Sequence, residues 1–400
     1  MAVSSGTGAR PRTVGPALLL VAIALLAFQL RSPLVALSPV ARAAEQGFGV
    51  NAAGLGLLTS IPVLCFGLAT PLASLFARRF GLEGAIEWCL GGIVIATLLR
   101  SLGPYPLAVA SVVLLGVTIT IGNVLVPSII RRDVPARARG AATGVYAVAL
   151  NIGTMLTAVG TVPLAELVGW RVATAAWSVV GVATAALWLV LLRRQRALPA
   201  PPPAAAGRVR PDGLAWLLGF TFAAQGFSYY GVTTWLPTLL ADERHLGASA
   251  AGTASSVFQV AGVIGGMGVP LLALRIRAWQ TLAIVGMLWI CLPAGLLLAP
   301  EHYVIVSVLG GAAQGGGFAA IFTIIAQVGR DARHATTLSA FVQTVGYLVA
   351  AAAPPLVGGL HQATGGWTAP MLAVLVATAC FLVLGTLAAL LAGRAGSAVS

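Results

Sequence analysis

The sequence predicts an all-α polytopic membrane protein with twelve transmembrane helices, arranged as two six-helix pseudo-repeats. Of the 400 residues, 58% are hydrophobic and only 8% are charged, whereas about 25% of the residues of soluble proteins are charged. Uncharged apolar runs long enough to cross a bilayer recur along the chain. Short loops that contain arginine separate these runs.

Charged and turn-forming residues divide the chain into the twelve spans. The third span is the least regular, because Glu87 and Arg100 lie near its ends, whereas 101–130 carries no charge and gives a clear fourth span. The predicted boundaries are 15–39, 52–77, 85–103, 105–130, 140–164, 171–192, 213–240, 249–274, 279–298, 303–328, 335–360 and 367–391.

The basic residues predict the orientation of these spans, since cytoplasmic loops are enriched in them. All 23 are arginines. With the N-terminus inside, 18 of them fall on the cytoplasmic side and Arg31 falls in the membrane, while the remaining four fall outside: Arg42, Arg100, Arg171 and Arg244. We therefore expect a multi-pass protein of the cell (inner) membrane with both termini in the cytoplasm.

One proline- and arginine-rich segment divides the spans six and six. It covers 193–212 and is interpreted as a solvated cytoplasmic linker between an N-terminal bundle, 1–192, and a C-terminal bundle, 213–400. The two bundles repeat at an offset of 198 residues, at which Pro39, Ala53-Gly54, Gly67 and Arg79 match Pro237, Ala251-Gly252, Gly265 and Arg277. Parallel repeats of this kind hold a binding site between them near the membrane midplane.

Catalytic and cofactor chemistry find little support in the sequence. The four histidines lie in or beside predicted loops, and the four cysteines lie in apolar segments without metal-ligand spacing. The acid pair Asp242-Glu243 lies in an external loop beside Arg244 and is interpreted as solvated surface. The formal net charge of +13 is accounted for by arginines in short loops, so nucleic acid is not an expected partner. We expect neither an enzyme nor a bound metal or cofactor.

Arg31 is the basic residue that this interpretation places at membrane depth. Burying a charge there costs about 2.5–3.5 kcal/mol on insertion scales and indicates a functional site. A snorkelling arginine near the helix end is the alternative. No acid lies deep in any span, since Glu87 and Glu166 are near span ends. A fixed positive charge without a counter-ion favours an anion or an electron-rich neutral solute.

Several short motifs together resemble the major facilitator superfamily and, within it, the cyanate and 2-nitroimidazole transporter family. The resemblance extends over nearly all of the twelve spans. The motifs are Leu30-Arg31-Ser32-Pro33, Gly122-Asn123-Val124-Leu125-Val126-Pro127, Arg131-Arg132-Asp133, Gly144-Val145-Tyr146, Phe258-Gln259 and Phe341-Val342-Gln343-Thr344-Val345-Gly346-Tyr347.

The resemblance implies the major facilitator fold and a secondary transporter that works by alternating access. Spans one, four, seven and ten would line its cavity, with spans five, eight and eleven at the sides. Cyanate or a nitro-substituted heterocycle is the implied substrate, the lipid bilayer and protons are further implied partners, and a monomer is expected. The candidate substrate-binding residues are Arg31, Asn123, Tyr146, Tyr229, Gln259 and Gln343.

Two alternatives to this function stay open. The aromatic residues of the spans would suit flat apolar compounds, as in a multidrug or metabolite efflux carrier. A non-transporting membrane sensor is the more remote alternative.

The chain also departs from the superfamily pattern in the loop after span two, where Arg78-Arg79-Phe80-Gly81 lacks the usual aspartate and Glu83 or Glu87 is the candidate substitute. Coupling to protons is expected to be weak or carried by the substrate.

Overall fold

The computed structural model describes residues 16–195, 211–329 and 332–397, and nearly all of them are helical. The helices are α1 (Pro16–Gln29), α2 (Ser32–Val35), α3 (Ala41–Phe48), α4 (Ala52–Leu68), α5 (Thr70–Leu102), α6 (Tyr105–Asp133), α7 (Arg139–Gln195), α8 (Gly213–Arg244), α9 (Ala248–Ala273), α10 (Ala278–Leu298), α11 (Tyr303–Val328), α12 (Ala332–Ala350), α13 (Ala353–Thr364) and α14 (Thr368–Ser397).

These helices match the predicted order of spans. Within the described ranges, nine segments are long and apolar enough to cross a membrane, and α4 is a shorter apolar helix. The first span consists of α1 and α2, the eleventh consists of α12 and α13, and the long helix α7 contains the fifth and sixth. Of the predicted linker, residues 196–210 lie outside the described residues.

Two glycines allow a long helix to change direction between spans. Gly81 in α5 has φ 74° and Gly169 in α7 has φ 80°. Residues with a side chain rarely adopt such positive φ values, because the β-carbon meets the backbone. Each glycine therefore separates two spans that otherwise run on as one helix.

The first span is interrupted in the middle of the protein. Helix α1 ends at Gln29, and the backbone of Arg31 leaves helical geometry with φ −123°. Helix α2 has only four residues, and a 3₁₀ turn, Ser38–Val40, follows it. Pro33 and Pro39 have no backbone N–H, which accounts for the irregularity of this segment.

The closest helix packing lies in the second half, between α9 and α11. A β-carbon at Gly265 would overlap the carbonyl of Ala312, and one at Gly315 would overlap the carbonyl of Gly262. Small residues let two membrane helices approach to backbone contact. Glycines on both helices therefore allow α9 and α11 to pack with their backbones in contact.

Replacing Gly265 by alanine is expected to destabilise the folded protein by about 1–3 kcal/mol, because the added methyl group overpacks a backbone contact. Gly268 lies in the same helix, and a β-carbon there would meet nothing within 4 Å. Gly268→Ala should therefore leave the stability unchanged or raise it slightly. Thermal unfolding of both purified variants in the same detergent measures the difference, and equal melting temperatures would contradict the prediction.

Candidate substrate site

Arg31 lies at the break in the first span and reaches across to the second half of the chain. Its Nη1 donates a hydrogen bond to the Tyr229 hydroxyl at 3.3 Å, and its guanidinium carbon lies 5.6 Å from the centre of that ring. The two residue numbers differ by 198, which is the offset of the internal repeat. Equivalent positions of the two halves therefore meet here, as expected at the axis between parallel repeats.

The surroundings of Arg31 are rich in tyrosine and poor in acid. Tyr146, Tyr230 and Tyr347 lie close to the guanidinium and, with Tyr229, are its neutral polar neighbours. Within the part of the chain that the structure describes, no carboxylate forms an ion pair with Arg31. Among the described residues, the charge of Arg31 is thus not neutralised by a carboxylate.

Aromatic rings extend from this charge into the second half. Tyr229 stacks on Phe258 with ring centres 6.4 Å apart and meets the edge of Phe318 at 6.1 Å. Tyr347 contacts Phe222 at 5.1 Å and Phe66, from the first half, at 5.5 Å. Flat surfaces of this kind pack well against planar or apolar solutes.

Two further predicted site residues join the Arg31 group. The Tyr146 hydroxyl donates to Oδ1 of Asn123 at 2.9 Å. Both side chains are partly exposed, and Tyr146 is one of the tyrosines that interact with Arg31. Spans one, four, five and seven therefore converge on one polar cluster, which we call the Arg31 cluster: Arg31, Asn123, Tyr146 and Tyr229.

The other two predicted residues lie outside this cluster in the present conformation. Gln259 is buried, donates from Nε2 to Thr233 at 3.2 Å and lines a small cavity between the halves. Its Oε1 has no hydrogen-bond partner among the described residues. Gln343 donates to the Ser339 hydroxyl on its own helix at 3.0 Å.

Tyr230 and Tyr347 were not among the predicted site residues, although both interact with Arg31. Their signals were present in the sequence. Tyr347 ends the span-eleven motif that contributed to the resemblance, and Tyr230 follows a predicted site residue directly.

Arg100 was predicted to fall outside, near the end of span three, and its burial was not predicted. Its side chain is 1% exposed, and its Nη1 donates to the carbonyl of Pro33 in α2. Its position near the end of span three gave no sign of this burial, because the sequence alone does not reveal which way a helix residue faces. Arg100 is therefore a second arginine whose side chain lies among the packed helices.

The interpretation of the pair Asp242-Glu243 as solvated surface holds for the exposed Glu243 and is wrong for Asp242. Its side chain is 17% exposed and forms an ion pair with Arg42, from the other half of the chain. Its Oδ2 also accepts a hydrogen bond from Trp367 Nε1 at 3.0 Å and lies 3.9 Å from His361 Nε2. We call Arg42, Asp242, His361 and Trp367 the interdomain latch.

The two halves are in contact near this latch. The Ser38 hydroxyl donates to the carbonyl of Thr233 at 2.9 Å, and the Ser60 hydroxyl donates to the carbonyl of Ala351. A β-carbon at Gly56 would overlap the backbone at Pro354. The first span thus meets α8, and the second span meets the eleventh, at the end of the bundle that the arginine count predicts to be outside.

An ion-pair group of the first half lies at the opposite end. Arg132 contacts Glu83 at 2.5 Å and Asp133 at 2.6 Å. Of the two candidate substitutes for the missing loop aspartate, it is Glu83 that forms this pair. In the described residues Glu87 forms no ion pair.

The family model of the Major Facilitator Superfamily matches residues 17–302 of the chain. The chain belongs to this superfamily. It is 30% identical over 380 residues to the 2-nitroimidazole transporter of Escherichia coli K12, covering 94% of this chain and 95% of that one. It is 25% identical over 354 residues to the cyanate transport protein CynX of the same organism, covering 87% and 91% of the two chains.

A solved structure supports the fold. A bacterial homologue of the human lysosomal transporter Spinster, in an inward-facing and occupied conformation, superposes with a TM-score of 0.75. The alignment covers 97% of this chain and 98% of that one at 18% identity. The chain is therefore a multi-pass membrane transporter with the major facilitator fold, not an enzyme, and its partners include a small-molecule substrate.

Proposed function

We propose that the protein is a secondary active transporter that moves a small anionic or electron-rich solute by alternating access. The observation that carries the proposal is Arg31. This guanidinium lies where the two halves meet, and in the described residues it contacts tyrosine but no carboxylate. A charge at membrane depth that has no counter-ion is costly, and an anionic or electron-rich solute offsets that cost when it binds.

The substrate proposal follows from the shape of the binding groups. Arginine presents a planar fork of donors, which matches the paired oxygens of a nitro group or a carboxylate. Aromatic rings beside the fork suit a planar heterocycle. Cyanate and 2-nitroimidazole are named for two relatives, and both fit a site with positive charge, hydroxyl groups and flat walls.

Alternating access is proposed from the latch and the contacts around it. The bundles 1–192 and 213–400 would rock against each other, joined by the linker 193–212. The present conformation has the latch end in contact, through Arg42 and Asp242. If both termini lie in the cytoplasm, the latch end faces the outer side of the inner membrane. The present conformation is then closed to the outside.

Efflux of drugs or metabolites is the second candidate function. The aromatic wall of Tyr229, Phe258, Phe318 and Tyr347 favours it, because ring stacking is tolerant of substrate identity. A carrier of this kind would depend on the rings more than on the charge of Arg31.

Transport into proteoliposomes decides between the two functions. Labelled cyanate, labelled 2-nitroimidazole and a cationic aromatic dye should be compared, each with and without an imposed pH gradient. We expect saturable uptake of cyanate or 2-nitroimidazole, little uptake of the dye, and weak dependence on the pH gradient unless the substrate carries the proton. Saturable dye transport without either small solute would support the efflux function instead.

A further inference from the structure

Arg100 is a buried charge for which the binding of substrate provides no explanation. Its side chain is 1% exposed. Nη1 donates to the Pro33 carbonyl, whereas Nε and Nη2 have no hydrogen-bond partner within the described part of the chain. A buried charge without a counter-ion is destabilising. A side chain that only filled this space would be less costly if it were apolar.

The acceptor of the one hydrogen bond lies in the interrupted first span. Pro33 is two residues beyond Arg31, in the four-residue helix α2. Carbonyls at helix ends lack partners within the helix, so they must find donors elsewhere. Other side-chain bonds hold the same segment: Ser32 to the carbonyl of Phe28 at 2.9 Å, Gln29 to Trp177 at 3.3 Å and Ser38 to Thr233 at 2.9 Å.

A comparison of the two halves links this charge to the break. By the repeat, α8 corresponds to the first span, and it runs without interruption from Gly213 to Arg244. The span that corresponds to the third, 279–298, contains no charged residue. The first half, whose first span is broken, has a buried arginine in its third span. The second half, whose corresponding helix α8 is unbroken, has no arginine at the equivalent place. The fold common to both halves therefore does not require Arg100.

We infer that Arg100 is a positioning residue. Its bond to the Pro33 carbonyl fixes α2 against α5, and so fixes the direction in which Arg31 projects toward Tyr229 and the solute. Arg100 acts through the backbone of the segment and does not itself bind the solute. The inference rests on the proposed role of Arg31 in binding.

Two substitutions of Arg100 and one matched control test this role. Arg100→Leu removes the donor, and Arg100→Lys keeps a long cationic donor. Arg171 is the control, because it also binds backbone carbonyls of the same half, those of Gly47, Ser101 and Gly103 at 2.8–3.2 Å, but none in the Arg31 segment. The measurements on purified protein are the Kd for 2-nitroimidazole and cyanate, and amide hydrogen exchange over residues 26–37.

The positioning role predicts a specific pattern. Arg100→Leu should raise the Kd roughly tenfold, as expected when a binding group is displaced by a fraction of an ångström. Amide exchange over 26–37 should quicken in the same variant and stay unchanged elsewhere, with the melting temperature maintained. Arg100→Lys should restore most of the affinity and the slow exchange. Arg171→Leu should change neither the Kd nor the exchange of this segment.

Three results would overturn the inference. They are unchanged exchange over 26–37 in Arg100→Leu, an unchanged Kd in that variant while Arg31→Lys lowers affinity, and a lysine variant no better than the leucine variant. Failure of the proposed function is distinguishable. In that case neither solute binds the native carrier, and the hydrogen-exchange measurement still decides whether Arg100 holds the segment.

Discussion

Replacing Arg31 by lysine is expected to weaken substrate binding by roughly ten- to a hundredfold, although the charge is kept. Lysine has no planar fork, so one charge-assisted hydrogen bond, worth about 1.5–3 kcal/mol, is lost. The contact with Tyr229 changes as well, because the 3.3 Å bond comes from a terminal guanidinium nitrogen. Arg31→Ala removes the charge altogether and should abolish transport while the protein still reaches the membrane.

The measurement is the Kd of 2-nitroimidazole and of cyanate on purified, folded protein. Arg244→Lys is a suitable control, because Arg244 is an exposed arginine at the end of α8, far along the chain from the break. The Arg244→Lys variant should bind both solutes with the affinity of the native carrier. If Arg31 merely snorkels toward the membrane surface, lysine would serve as well, because it snorkels too. Equal affinities for the native protein and Arg31→Lys would contradict the substrate-binding role.

The order of the spans could be predicted because it depends on local signals. Apolar length marks a membrane helix wherever it occurs in the chain. The breaks inside the spans were harder to predict. Pro33 and Pro127 both lie in predicted spans. The first span is interrupted near Pro33, whereas helix α6 continues through Pro127. Neighbouring helices decide whether the freed carbonyl is satisfied in place.

Part of the candidate site could be predicted from the sequence. The charge at Arg31 was recognised because a basic residue in an apolar span is unusual. The repeat offset of 198 also pairs Arg31 with Tyr229, so the partner was in principle available from the same alignment of halves. The burial of Arg100 and the ion pair of Asp242 were not predicted, because their surroundings come from distant segments. Pro33 lies 67 residues from Arg100, and Arg42 belongs to the other half from Asp242.

The second large effect is expected from Asp242→Arg. Arg42 would then face a positive charge across the two halves, and Trp367 would lose the oxygen to which it donates at 3.0 Å. Like charges brought together at an interface are unfavourable, and an arginine at the partly buried position 242 also loses solvation. The conformation with the latch end closed should become less populated by roughly tenfold or more, and transport should fall by a similar factor, because the cycle requires both conformations.

A cysteine at Leu236 reports this opening. Leu236 is buried and lines the small cavity between the halves together with Ser38. In a background without the native cysteines, Leu236→Cys should resist an impermeant maleimide as long as the latch residues are native. The same cysteine should react readily with the maleimide when Asp242→Arg is also present. Adding Arg42→Asp restores an attraction and should return much of the protection.

Glu243→Arg is the matched control for the latch. Glu243 is the adjacent acid but is exposed, and within the described residues it forms no ion pair. The same change in charge one residue away should leave Leu236→Cys protected. Because Arg42 is 65% exposed, solvent screens both the native attraction and the repulsion after reversal. The large effect comes from placing an arginine at position 242, where the side chain is 17% exposed and Trp367 loses its acceptor. Protection that survives Asp242→Arg, or that Glu243→Arg removes equally well, would show that this pair does not hold the two halves together.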